Sequence, residues 1–231
     1  MSGERSTGIE IEDLGRLGYG PALACQRARH AGVLSGEQGE AVLMVEHEPV
    51  VTIGRQPDAR RLLLAGEAML GREGVALHET DRGGDVTYHG PGQVVAYPIV
   101  RLNDRKLNLR QYVRLLEKAV IETLGEFGIE ADRDPSAVGV WVEGRGGEAA
   151  KIAAIGVRAS RWVTMHGLAL NVRPNLEHFN LIVPCGLAGR PVTSMAELLG
   201  AGCPSLGEVA EVVGRRVVGA IEGATAGAGG G

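Results

Sequence analysis

At 231 residues, with 44% hydrophobic and 23% charged side chains, the chain has the composition of a soluble globular protein able to bury a sizeable core. A formal net charge of −4 gives no ground for nucleic-acid binding, which calls for a clustered basic face, and no stretch approaches the roughly 18 apolar residues of a membrane-spanning helix. The N-terminal M-S-G-E-R-S-T-G-I-E has no apolar leader core, so a cytoplasmic protein is expected; an aromatic content of 3% leaves the core to Val, Leu, Ile and Ala.

In chain order, residues 8–14, 41–46 (A-V-L-M-V-E) and 50–55 (V-V-T-I-G-R) are expected as strands, with Pro49 breaking the run between the last two. Gly20-Pro21 opens a helix through L-A-C-Q-R-A-R-H towards Gly36 and places Cys25 on it. The clearest helix follows Leu107, where Leu109, Tyr112, Val113, Leu116, Ala119, Val120, Leu124 and Phe127 recur at spacings of three and four and Gly128 ends the pattern. Three strand-like runs come next, 137–143, 151–160 and 162–172, separated by short turns as in an antiparallel meander. Ser205 and Glu208 form a capping box ahead of a second apolar stripe, Val209, Val212, Val213, Val217, Ala220 and Ile221. The closing A-T-A-G-A-G-G-G, 224–231, can bury nothing and is expected as a disordered tail beyond an ordered core of about 8–222. Strands grouped around two long helices, without regular alternation, predict an α/β fold of the α+β type. It is one domain over 1–231, with a mixed or antiparallel sheet carrying helices on one side.

Three segments could carry chemistry. R-G-G-D-V-T-Y-H-G-P-G-Q, 82–93, sets glycines and a proline around a Thr-Tyr-His run; it fits two tight turns about a short strand, or a loop that lets a ligand approach the backbone. It matches neither nucleotide-binding glycine motif. Lys151 opens the apolar run K-I-A-A-I-G, as a strand-end lysine snorkelling to water or as a partly buried amine available as a base. Cys185, in L-I-V-P-C-G, is a small buried residue or a thiol presented at a bend between Pro184 and Gly186. A thiol is only a few per cent thiolate at neutral pH, so a catalytic cysteine needs a cation or base beside it, and Lys151 is the candidate. Cys25 and Cys203 have structural readings, and three widely spaced cysteines without C-x-x-C suggest neither a disulfide framework nor a structural zinc site. His47, His89 and His166 lie in separate segments without zinc-ligand spacing.

Taken in order, R-G-G-D-V-T-Y-H-G-P-G-Q, K-I-A-A-I-G-V-R, H-G-L-A-L-N-V and N-L-I-V-P-C-G-L resemble the lipoyl(octanoyl) transferases, and H-E-P-V-V-T-I-G-R at 47–55 and V-T-S-M at 192–195 extend the likeness. The resemblance implies the fold shared by lipoate-protein ligases and the catalytic domain of biotin protein ligases. It also implies an acyltransferase that moves octanoyl, or lipoyl, from acyl carrier protein to a specific lysine of lipoyl domains. The acceptors are the acyltransferase subunits of 2-oxoacid dehydrogenase complexes and the glycine cleavage H protein. By position, Cys185 matches the nucleophile that forms an acyl-thioester, and Lys151 the lysine that lowers its pKa and serves as acid and base. Arg82, Gly83, Gly84, Asp85, Val86, Thr87, Tyr88 and His89 match a first acyl-binding segment. Ala154, Ile155 and Gly156 match a second, and Gly167, Leu168 and Ala169 a third. No cofactor, metal, nucleic acid or membrane is expected. Arg55, Arg145, Arg158 and Arg161 are candidates for a basic mouth facing an acidic carrier. Two alternatives share the fold, an ATP-dependent lipoate- or biotin-type ligase and a non-catalytic acyl- or lipoyl-domain-binding protein; Cys185 in P-C-G favours the transferase.

Overall fold

The computed structural model describes residues 8–183 and 190–226. In chain order the chain forms β1 (Glu10–Leu17), α1 (Tyr19–Ser35), β2 (Ala41–His47), β3 (Val50–Ile53), α2 (Glu67–Arg72), β4 (Ala76–Glu79), β5 (Val86–His89) and β6 (Gln93–Ile99). There follow α3 (Leu109–Glu126), β7 (Asp132–Asp134), β8 (Ala137–Glu143), β9 (Ala149–Ser160), β10 (Val163–Asn171), α4 (Met195–Leu199) and α5 (Leu206–Ala226). Seven strands make a mixed sheet in the order β1-β2-β6-β10-β9-β8-β7, parallel only between β1 and β2, and β4-β3-β5 make a second, smaller sheet.

The large sheet is covered on both faces, which corrects the expectation of helices on one side. On β2, Val42 and Met44 join α3 and α5 in one core, whereas Leu43 and Val45 face α1 in another. Side chains alternate across a strand, so a strand buried on both faces reads as an unbroken apolar run, which is what A-V-L-M-V is. Pro21 sits in the first turn of α1, where its missing N–H leaves no bond unmade, and Gly36 closes the helix at φ 82°. On α3, Tyr112, Leu116, Ala119, Val120 and Leu124 of the expected stripe are buried, Val113 and Phe127 are partly buried and Leu109 is exposed, and Asn108 and Gln111 supply a reciprocal capping box. Ser205 and Glu208 cap α5 as expected, but that helix runs on to Ala226, into the stretch expected as a tail.

The chain passes between the sheets twice. Pro49 marks the step from β2 to β3, and Gly90-Pro91-Gly92 the return from β5 to β6. At Gly92, φ is 89° and an added Cβ would lie 2.3 Å from the Arg173 carbonyl, while its own carbonyl accepts from Val172 and Arg173 at 3.1 and 2.9 Å. Only glycine fits that crossing. The result lays β5 and the 82–85 loop over β9 and β10, and Gly83 N–H donates to Val157 O at 3.0 Å to hold them there.

Candidate active site

The cleft so formed brings together the three segments named for acyl binding. On the large sheet the second and third face each other in register, with Ala154 opposite Ala169, Ile155 opposite Leu168 and Gly156 opposite Gly167. Across from them the cavity is lined by Arg82, Gly84, Asp85, Val86, Thr87 and His89. Gly83 and Tyr88 are placed otherwise. Gly83 makes the backbone tie to Val157, and Tyr88 turns into the core of the small sheet, where its hydroxyl pairs with His178 Nδ1 at 2.8 Å. Buried Arg82 donates to Thr52 O at 2.8 Å, Asp85 O at 3.0 Å and Gly83 O at 3.1 Å, so its guanidinium shapes the loop.

Burial keeps the histidines at this end of the cleft uncharged. His89, fully enclosed and near His47 and Arg82, is held well below the usual imidazole range, and desolvation draws His47 down to about 4. Because Leu17 O can only accept, the proton of His47 sits on Nδ1 (3.0 Å), which leaves Nε2 to accept from the Tyr97 hydroxyl at 2.7 Å. His166 is lowered by burial despite its 2.8 Å bond to Asp81. Burial pushes Tyr97 well up. The three histidines, expected in separate segments, therefore converge around Tyr97, yet among the described residues no group of His, Cys, Asp and Glu is arranged to hold a metal ion.

A second, smaller cavity shares Thr87, Ala154 and Ala169 with the first and adds Lys151, Gln93, Asn171 and Val192. Lys151 lies within β9 and is only 5% exposed, so it does not snorkel to water. Its Nζ donates to Val138 O at 3.1 Å and stands 4.8 Å from the centroid of the Trp141 ring. Its backbone is paired as well, accepting from Thr193 N–H at 3.0 Å and donating to Pro191 O at 2.9 Å. Cys185 falls in 184–189, outside the described residues. On one side of that segment Val183 N–H donates to Leu62 O at 2.7 Å; on the other, Arg190 stacks on Trp141 at 3.6 Å and residues 191–193 run beside Lys151.

Residues that the sequence reading passed over complete the site. Gln93 accepts at Oε1 from His89 Nδ1 at 3.2 Å and donates through Nε2 to Asn171 Oδ1 at 2.9 Å, and Asn171 donates to Thr193 O at 3.0 Å. Buried polar groups need such partners, and this chain of bonds links H-G-P-G-Q, L-N-V and V-T-S-M, segments that the family pattern had already marked. Of the four arginines considered for a mouth, Arg158 is tied to Asp81, while Arg55, Arg145 and Arg161 are exposed. A larger groove of about 960 Å³ beside α3, β7 and β8 is open and rich in Glu130, Asp132, Asp134 and Glu143, but apart from Trp141 and its neighbours it touches none of these segments.

The arrangement, two sheets closing over a slot that ends at a buried lysine, has the fold of the lipoate- and biotin-protein ligases. A lipoate-protein ligase A solved with ATP superposes with a TM-score of 0.73 at 16% identity, covering 93% of this chain and 86% of that one. The biotin protein ligase of Aquifex aeolicus superposes at 0.52 and 13% identity, over 94% and 71% of the two chains. The chain belongs to the lipoyl protein ligase A/B catalytic-domain family, whose pattern matches residues 19–217. Within it, a protein of Solibacter usitatus named octanoyltransferase is 52% identical over 188 residues, 81% of this chain and 82% of its own length. No described helix is long and apolar enough to cross a membrane.

Proposed function

We propose that this acyltransferase moves an octanoyl group from acyl carrier protein to a lysine of a lipoyl domain, in the cytoplasm, through a thioester on Cys185. The observation that carries the reading is the position of Lys151. It is buried at the end of the cavity lined by the segments named for acyl binding, and its own backbone is hydrogen-bonded to residues 191 and 193, shortly after the Cys185 segment. The likeness to named octanoyltransferases supports the choice of acyl group.

The chemistry needs no energy input. The Cys185 thiolate attacks the carrier-bound thioester carbonyl; a new C–S bond forms, the carrier's C–S bond breaks, and the departing thiolate takes the proton of Lys151. The acceptor lysine then attacks the Cys185 thioester as a free amine. Lys151 accepts its proton, and the thiolate leaves as the amide forms. The first step exchanges one thioester for another, and the second runs downhill, which gives ping-pong kinetics with an isolable acyl-enzyme. An eight-carbon chain offers about seven methylene or methyl groups, worth roughly 0.8 kcal/mol each on burial, so a slot with Ala154, Ile155, Leu168 and Ala169 along one wall can both hold it and measure it.

Intact-mass measurement after mixing the protein with octanoyl-acyl carrier protein, without ATP, tests this. One octanoyl adduct that survives denaturation, is released by hydroxylamine and disappears in Cys185→Ser is the expected result. Transfer that requires ATP would instead mark a ligase, and no adduct under any condition would leave a binding protein.

A further inference from the structure

Among the buried residues of α3 one carries a carboxylate, Glu117, whose side chain is 2% exposed. A carboxylate on the buried face of a helix loses several kcal/mol of hydration unless it is paired, so its partners reveal what it holds. Its Oε2 accepts from Arg114 at 2.9 Å and Arg133 at 3.0 Å, which balances the charge. The other oxygen, Oε1, accepts from the backbone N–H of Gly139 at 3.3 Å. That N–H belongs to the same peptide group whose carbonyl, Val138 O, receives the Lys151 ammonium at 3.1 Å.

We propose that Glu117 is a positioning residue for Lys151, acting through the Val138–Gly139 peptide. A carboxylate on the N–H of an amide polarises its carbonyl, which strengthens the bond that the carbonyl accepts from the ammonium. The peptide can face both ways because β8 is irregular there. Gly139 has φ 130°, the pairing register with β9 shifts between Val140 and Trp141, and a Cβ at 139 would lie 2.6 Å from Ala153 O and 3.3 Å from Lys151 Cε. A glycine in that conformation is thus needed both to turn the peptide and to leave room for the lysine stem. This inference rests on the reading of Lys151 as the catalytic lysine and adds what aims it.

The test measures octanoyl transfer and the pH dependence of Cys185 alkylation in Glu117→Gln and Glu117→Leu beside Lys151→Ala, with thermal unfolding to show which variants are folded. Glu117→Leu removes the acceptor and is expected to lower kcat by about 100-fold, the scale of a misplaced catalytic group, with KM for octanoyl-acyl carrier protein unchanged. Glu117→Gln keeps an acceptor oxygen and is expected to restore part of that loss, and in both variants the alkylation profile moves to higher pH. A structural staple alone would lower the unfolding temperature and leave kcat and the alkylation profile where they were, which would overturn the proposal. If Glu117→Leu does not fold, the isosteric Glu117→Gln decides by the same readouts. Wild-type activity in Lys151→Ala would overturn the reading of Lys151 itself, whereas an inactive Lys151→Ala beside a fully active Glu117→Leu would overturn only the relay.

Discussion

The two ends of the cleft hold their ionisable groups in opposite ways. At the His89 end, burial removes charge from the histidines. His47, His89 and His166 lie close together near Arg82, their bonds go mainly to neutral groups, and all three are driven towards the uncharged imidazole. At the other end an ammonium is equally buried, but it is given a carbonyl, the face of Trp141 and, through one peptide, the carboxylate of Glu117. On the proposed function, the contrast separates binding from reaction within one slot: the end with uncharged histidines takes the acyl chain, and the end with Lys151 moves protons.

The sharpest way to break that contrast is to delete the cation. Lys151→Ala is expected to lower octanoyl transfer by about 100- to 10,000-fold, the range for a lost acid-base group, and to slow alkylation of Cys185 at neutral pH. Lys151→Arg should remain poor in the second half-reaction, because a guanidinium does not give up a proton to become a base. Single-turnover measurement of each half-reaction separates the two effects.

The neutral end can be challenged with acid. His47 is uncharged in the folded protein, with its pKa drawn down to about 4, against about 6.5 in the unfolded chain. Between those values the unfolded state binds the extra proton, so the stability due to neutral His47 is complete above about pH 6.5 and is lost as the pH falls towards 4, up to about 3 kcal/mol in all. Urea unfolding at pH 7.5 and 4.5, compared with His47→Gln, should show a steeper loss in the wild type. Equal slopes would mean that His47 is not held neutral by burial.

Much of this division was legible in the sequence, but unevenly. The acyl-binding segments were named from their resemblance, and β9 and β10 set Ala154–Gly156 against Gly167–Ala169 in register. Periodicity exposed α3 and the capping box of α5. It passed over β6, an almost wholly apolar strand in which Pro98, one residue from the end, lies opposite Val42. Covering helices on both faces was encoded in A-V-L-M-V yet read as an ordinary strand. Glu117 was invisible for a different reason: one acid beside Leu116 on an amphipathic helix looks like a surface residue until the bulge at Gly139 is seen beneath it.

A smaller change probes the boundary where the two ends meet. Ala154 lines both cavities, so Ala154→Val is expected to shorten the slot and cost octanoyl about 1 to 1.4 kcal/mol, which is roughly five- to tenfold in kcat/KM, while butyryl transfer is spared. An equal loss for both chain lengths would show that the residue affects the reacting end and does not measure the chain.

The smallest effect is expected at Arg190, which shares the Trp141 ring with Lys151 and pairs with Asp134 at 2.5 Å. That carboxyl sits below its usual range, first because of the hydrogen bond from Arg190 and then because of those from Ser136. Trp141 is itself fixed, its indole N–H donating to Ala137 O at 3.2 Å, so one immobile ring locates the lysine and the first described residue after the Cys185 segment together. Arg190 is partly exposed, and a cation on an aromatic face near water contributes about 0.5–1 kcal/mol, so Arg190→Ala should slow transfer by no more than about fivefold. Arg190→Lys tests the cause: an ammonium keeps the charge but cannot stack as a plane, so if stacking sets the position it should behave like Arg190→Ala, and if charge alone matters it should behave like the wild type.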